Sequence, residues 1–324
     1  MRALVTGATG FIGSHLTSKL IESGHKVRAF VRQTNDSSWL ESIGAEIVHG
    51  SLIDLNAAQE ACKDVDIVFN LAGRMGGYKS TEQEMRLVNV TAVETLLEAC
   101  QKSEVQQFIH CSTPGVVGMV GIAPECMPYN PTGPYEHTKY EGERIALQYH
   151  DNGKVPVTVV RPDFVYGPGD LHKLKMFKAI QEGRFPIIGS GNSLIHPTYI
   201  DDIVSGFELV ANNEAAYGEK FNFAGPRPVT IKELVTTIAD KLNVKVTRLR
   251  IPVPAARLAA VGAEVAAKLV SKEPIVTLYQ INFFTRDHAS DISKAKQVLG
   301  FQPQVDLQEG INRTIQWYKI QSHL

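Results

Sequence analysis

The chain has 324 residues, of which 44% are hydrophobic and 21% charged, the proportions of an ordinary globular protein and not of a fibrous or extensively disordered one. A formal net charge of −1 argues against general affinity for nucleic acid or anionic membranes, so any phosphate recognition must come from a local site. The four cysteines, Cys62, Cys100, Cys111 and Cys126, have no close or metal-type spacing, which fits a reduced, cytoplasmic chain with unpaired thiols.

In chain order, Met1-Arg2-Ala3-Leu4-Val5 runs straight into a core strand and is expected to leave no room for a signal peptide. Short β-branched runs at residues 3–6, 26–31, 46–49, 67–71, 107–112 and 157–161 read as strands. Helical patterns at 11–22, 82–102 and 135–150 alternate with them. Near-continuous apolar strands separated by helices predict an α/β fold, a doubly wound parallel sheet covered on both faces. After Arg161-Pro162 the rhythm loosens, with Gly/Pro loops at 166–169 and 188–191. Short strands are expected at 185–188 and 220–223, and helices at 231–241, 255–270 and 307–318. These predict a smaller α/β lobe, mainly residues 166–324, across the carboxyl edge of the sheet of a main domain at residues 1–165, with part of it returning to that main domain. Residues 251–270 are apolar but carry Arg257, Glu264 and Lys268; they read as an amphipathic cover, and no transmembrane segment is expected.

Thr6-Gly7-Ala8-Thr9-Gly10-Phe11-Ile12-Gly13 joins the first strand to the first helix. Gly7 permits the tight turn, Gly10 lets backbone approach a pyrophosphate, and Gly13 lets the helix pack on the sheet. The helix N-terminus offers free N–H groups and partial positive charge to the anion. Helix–strand packing alone could select three glycines, but their place between a strand and an amphipathic helix favours a dinucleotide site. In the form TGATGFIG the chain resembles the extended short-chain dehydrogenase/reductase family. Further motifs follow along nearly the whole chain: Asp54, Asn70-Leu71-Ala72-Gly73, Asn89-Val90-Thr91, Cys111-Ser112-Thr113, Tyr135-x-x-x-Lys139, Arg161-Pro162 and Val165-Tyr166-Gly167-Pro168-Gly169-Asp170.

That resemblance implies a Rossmann domain, an NAD(P)-dependent oxidoreductase and a small-molecule substrate. It implies that Asp54 bonds the adenine amino group and that Leu71, Ala72 and Gly73 line the nicotinamide ribose. Thr9, Phe11, Ile12, Leu55, Pro162 and Val165 join them as expected cofactor contacts. Cofactor preference turns on the end of the second strand, where Val31-Arg32 stands with Ser37 and Ser38 downstream. A carboxylate there would select NAD, whereas Arg32 can bond a 2′-phosphate. NADP(H) is therefore favoured, with NAD(H) left open and a solvent-exposed arginine as the plain alternative.

Tyr135 and Lys139 are four apart on a predicted helix and share a face. A lysine cation, together with an oxidised nicotinamide ring, would stabilise tyrosinate and lower the phenol's pKa, and Lys139 would hold the nicotinamide ribose. The resemblance implies that Thr113 donates to the substrate oxygen, although a strand-end Ser/Thr pair can also serve only the backbone. Ser112 is expected to face the cofactor, and Asn89 is equally readable as structural or catalytic. His137 faces away from the pair. Arg74 and His196 are candidate substrate-pocket residues.

The family's sugar dehydratases carry an Asp-Glu pair after the Thr113 position; here Pro114 and Gly115 cannot titrate. Where its nucleotide-sugar epimerases bring an asparagine and basic residues to a diphosphate, this chain has Pro162-Asp163-Phe164-Val165. The segments Ser293-Lys294-Ala295, Leu299-Gly300-Phe301-Gln302-Pro303 and Glu309-Gly310 resemble the branch holding 3β-hydroxysteroid dehydrogenase-like and dihydroflavonol reductase-like enzymes. The expectation is hydride transfer to or from a carbonyl or secondary alcohol on a fairly apolar molecule. The alternatives are a nucleotide-sugar epimerase with tightly bound NAD and a non-catalytic cofactor-binding protein. Family members often dimerise through the helices matching 82–102 and 135–150, which implies a homodimer.

Overall fold

A computed structural model describes residues 1–76, 80–247, 249–270 and 274–324. The side chains at 268–270, Lys268 among them, lie outside the described residues. Seven parallel strands form the main sheet: β1 (Arg2–Thr6), β2 (Lys26–Val31), β3 (Glu46–His49), β4 (Ile67–Asn70), β5 (Gln107–Cys111), β6 (Val157–Pro162) and β7 (Lys220–Phe223), in the spatial order β7-β6-β5-β4-β1-β2-β3. Chain order reverses between β1 and β4, which opens a crevice at their carboxyl ends, the usual ligand position in such sheets. Register is set by alternation: Val5 lies opposite Ala29 and Phe69. Ala3, Val5, Phe69 and Ile109 point into one core, whereas Leu4, Val68 and Phe108 point into the other. Both faces are covered, as near-continuous apolar strands require.

Helix α1 (Phe11–Glu22) covers the first face with Leu16 and Leu20. The opposite face carries α2 (Leu55–Cys62), α3 (Ala92–Lys102) and α4 (Pro134–Asp151), through Ala58, Leu96, Leu97 and Ala146. Cys62 and Cys100, distant in sequence, meet there as free thiols with Sγ atoms 3.9 Å apart.

The single helix expected at 82–102 is divided. Glu82–Arg86 leads into a π-helical turn, Leu87–Thr91, and only then into α3. The wider turn carries one residue more than an α-helix would, as such bulges do, and it brings Asn89 to the site. A β-carbon at Gly142 of α4 would stand 2.2 Å from the Asn89 carbonyl oxygen, so α4 seats on this bulge only because glycine is there.

The sheet also extends beyond the expected linear boundary at residue 165. Residues 220–223, assigned to the smaller lobe by sequence, are β7, paired in parallel with β6 so that Phe221 lies beside Val160. Helix α5 (Ile200–Val210), absent from the sequence reading, packs Phe207 against Phe69 with ring centroids 6.4 Å apart. The smaller lobe has its own four-stranded sheet, ordered Val229–Thr230, Leu194–Ile195, His288–Ser290 and Gly121–Ala123, and its last strand comes from the N-terminal half. The strand expected at 185–188 is reduced to Ile187–Ile188, beside Arg250–Ile251. Helix Val253–Val270 packs through Ala256 and Ala260 on Ile281 of helix Leu278–Thr285. Among the described residues no helix is long and apolar enough to cross a membrane.

Candidate active site

The glycine turn and the loop after β4 are built as one unit. Gly7 takes a φ of +69°, and a β-carbon there would stand 2.8 Å from the Ala72 nitrogen and from the Leu71 carbonyl carbon. A β-carbon at Gly13 would stand 2.1 Å from the Gly7 oxygen, so α1 approaches the turn only with glycine at this position. The Thr6 hydroxyl donates to Asn70 Oδ1 at 2.7 Å and accepts from the Ala72 N–H at 3.1 Å. No side chain caps α1, whose N-cap is Gly10. The N–H groups of its first turn, at Phe11, Ile12 and Gly13, are thus left for an anion. Thr9 accepts from Asn35 Nδ2 at 3.0 Å, folding the loop after β2 over the turn. Asp54 caps α2 through one oxygen, Oδ1, bonded by the Asn56 and Ala57 N–H groups at 2.9 and 3.3 Å, so Oδ2 can meet a ligand beside Leu55. This cradle fits a dinucleotide.

Arg32 is exposed immediately beyond β2. The two serines downstream are engaged within their own loop: Ser38 donates to Asp36 through N–H and hydroxyl at 2.9 and 2.6 Å, and buried Ser37 donates to Glu41 at 3.3 Å. Recognition of a 2′-phosphate would therefore fall on Arg32.

Tyr135 opens α4 behind Pro134, and Lys139 follows one turn later. A β-carbon at Gly76 would lie 3.5 Å from Tyr135 Cβ, so the tyrosine borders the loop that carries Leu71, Ala72 and Gly73. Lys139 is 3% exposed and donates to the Cys111 carbonyl at 2.7 Å, tying α4 to the end of β5. Burial lowers its pKa, against the pull of Cys111 and Glu143. The Tyr135 phenol departs from the sequence expectation: burial first, then Cys111 and Glu136, hold it above its ordinary value. Within the chain itself, burial and these two neighbours favour the protonated phenol. Thr113 accepts from the Gly115 N–H at 3.3 Å at the head of the short turn Pro114–Val117, leaving its own hydrogen free to donate. Pro162 closes β6, and just beyond it the Val165 carbonyl accepts from Lys173 at 2.5 Å.

A family model described as the NAD dependent epimerase/dehydratase family matches residues 3–224, from β1 through the returning strand β7. The chain belongs to the NAD-dependent epimerase/dehydratase family. It is an enzyme of the extended short-chain dehydrogenase/reductase type. It is 28% identical to the 4-hydroxy-2-methyl-3-oxo-4-farnesyl-3,4-dihydroquinoline-1-oxide ketoreductase of Stigmatella aurantiaca, over 96% of this chain and 95% of that protein. It is 30% identical to a UDP-glucose 4-epimerase of Mycolicibacterium smegmatis, over 99% and 100%. The solved structure of a UDP-glucuronic acid 4-epimerase from Bacillus cereus in complex with NAD superposes with a TM-score of 0.79 at 26% identity, covering all of both chains.

Several side chains of this epimerase/dehydratase family member sit differently from the sequence expectation. Ser112 turns from the cofactor side and donates to Glu143 Oε2 at 2.5 Å. Buried Glu143 also pairs with Arg161, whose Nε lies 3.1 Å from Oε2, and accepts from the Tyr129 hydroxyl at 2.8 Å. This network pins α4 to β6 behind the tyrosine and lysine. Glu143 went unread in the sequence, although its spacing of four from Lys139 puts it on the same helical face. Asn89 accepts from the Arg74 N–H at 2.8 Å and donates to the Arg74 carbonyl and Thr138 hydroxyl, both at 2.9 Å, which joins the loop after β4 to α4. The Arg74 guanidinium leans toward Glu84 at 3.9 Å. His196 is not a pocket residue: it is 2% exposed, with its ring nitrogens each 2.9 Å from the Ser290 and Gly225 carbonyls. His137 is exposed. Glu136 and the 47%-exposed Tyr279, neither singled out by sequence, are near enough to Tyr135 to interact with it by charge.

Proposed function

We propose that this enzyme transfers a hydride, with NADP(H), to or from a carbonyl or secondary alcohol of a fairly apolar small molecule, using Tyr135 as general acid and base. The observation that carries this reading is the wall after β6. Phe164 adopts a φ of +33°, a strained conformation for a bulky residue, and stacks on Phe283 with centroids 5.8 Å apart. Phe284 and Phe185 continue the aromatic surface. Beside Phe164, the buried Asp163 carboxyl accepts from the Ser290 hydroxyl at 2.7 Å, and Lys173 is occupied by Asp170 and the Val165 carbonyl. Aromatic rings and a spent lysine suit an apolar molecule and leave a diphosphate without that lysine's charge.

When bound, the dinucleotide supplies or accepts the hydride at its nicotinamide ring. In reduction, Thr113 donates to the substrate oxygen and Tyr135 passes that oxygen its phenolic proton, which its raised pKa keeps in place. In oxidation the same oxygen returns the proton. Lys139 holds the ribose and keeps the end of β5 in register with α4. Replacing Tyr135 by Phe should lower turnover about 10²–10⁴-fold with cofactor affinity little changed, read by steady-state rates on a ketone panel and by cofactor titration. Near-normal turnover would eliminate the mechanism.

A second reading, nucleotide-sugar epimerisation, draws support from the likeness to the Mycolicibacterium smegmatis enzyme. It predicts UDP-sugar interconversion with tightly held cofactor and none consumed. We also propose a homodimer through α4 and the segment 82–102, which sedimentation would test.

A further inference from the structure

Glu136 has no part in the scheme above, yet it borders the reacting groups. It lies in the first turn of α4 and is 4% exposed. A β-carbon at Gly115 would stand 2.9 Å from Glu136 Cγ, 3.6 Å from its Oε1 and 3.5 Å from the Thr113 hydroxyl oxygen. The carboxylate and the substrate-facing threonine thus flank one point. Its other oxygen folds back toward Gly133, where a β-carbon would stand 2.5 Å from Oε2. From the smaller lobe, helix Leu278–Thr285 brings Tyr279, itself 47% exposed, close enough to this carboxylate and to Tyr135 that partial burial of its ring and these two neighbours raise its phenol. A first-turn acid also complements the helix dipole, but that service needs neither burial nor a partner from the other lobe.

We propose that Glu136, faced by Tyr279, is a specificity-determining residue that rejects substrates bearing a negative charge beside the reacting carbonyl and admits their neutral counterparts. Substrate groups adjoining an oxygen held by Thr113 and Tyr135 must come within a few ångströms of this carboxylate. At that range from a carboxylate that is itself 4% exposed, a second anion is disfavoured by about 100-fold in apparent affinity. Loss of a side chain at residue 115 makes the space, and an acid arriving from residue 136 occupies it.

This inference rests on the carbonyl-reduction reading. Ethyl acetoacetate and acetoacetate present the same ketone with and without a neighbouring charge. With NADPH or NADH the enzyme should favour the ester in kcat/KM by on the order of 100-fold. Glu136→Gln should narrow that ratio to within about tenfold, chiefly through a lower KM for the acid, and Glu136→Asp should restore it. An unchanged ratio in Glu136→Gln, with the fold intact by circular dichroism, overturns the proposal. If neither compound is reduced, the carbonyl-reduction reading fails for this pair, and calorimetric titration of both onto the cofactor-loaded enzyme decides the charge rule alone. Binding of the ester only, with the acid recovered in Glu136→Gln, supports it; equal binding of both, or of neither, overturns it.

Discussion

Tyr135 works in surroundings that resist its ionisation, since burial and two neighbouring groups hold its proton on. That suits the proposed delivery of a proton to a carbonyl oxygen, in which Thr113 and Lys139 would serve as aligning groups more than as bases. At the far end of the proposed cofactor cleft, Arg32 would bear the choice between the two dinucleotides without help from Ser37 or Ser38, both tied within their loop. Replacing Arg32 by Ala should weaken NADPH by about 10–100-fold, the loss of a charge-assisted pair, and NADH by much less; fluorescence titration of the reduced cofactors reads both. Equal losses would refute the phosphate contact. At this scale the glycine turn and the Tyr135–Lys139 pair were legible because their spacing is local: three glycines between a strand and a helix, and two polar residues one turn apart. The pKa direction of Tyr135 was not, because it depends on what encloses the ring.

Among elements, β6 is the junction. Arg161 near its end binds Glu143 of α4, and Asp163 just beyond it binds Ser290 on the smaller lobe's strand His288–Ser290. Burial raises the Asp163 carboxyl from 3.8 to about 7. Between those values the folded protein keeps a proton that the unfolded chain releases, so stability falls as pH rises from about 4 to about 7 and levels off above. Asp163→Asn should flatten this slope and stabilise the protein relative to the native chain on the order of 2–4 kcal/mol at about pH 8, measured by guanidinium unfolding there and at about pH 5. A native stability independent of pH across that window would remove the basis for a protonated Asp163. The division of the helix expected at 82–102 belongs to this scale too. Apolar periodicity marked that stretch as helical, but it carries no sign of the bulge at Leu87–Thr91 that turns Asn89 onto Arg74 and Thr138.

Across the whole molecule, the two lobes interlock. Gly121–Ala123 leaves the N-terminal half to pair with His288–Ser290, while α5 and β7 return to the main sheet. Ile203, Phe207 and Val210 of α5 are each 0% exposed. Burial of side chains this size contributes about 1.5–3 kcal/mol apiece, so losing α5 together with β7 removes an amount comparable to a domain's whole net stability of roughly 5–15 kcal/mol. Residues 1–165 expressed alone should therefore lack cooperative thermal unfolding and near-ultraviolet dichroism. A sharp transition in that fragment would show that the first half is self-sufficient.

Six of the seven strands of the sheet, their parallel arrangement and the cofactor turn follow from the amino-acid order, because apolar alternation, glycine spacing and helix periodicity act over a few residues and leave their marks there. Tertiary contact alone decided that α5 and β7 are the segments that return to the sheet, the confinement of His196 between two carbonyls, the Glu143–Arg161 pair and the meeting of Glu136 with Tyr279. Each of these joins groups from separate stretches of chain, and their burial and charge environment arise only when the chain closes on itself.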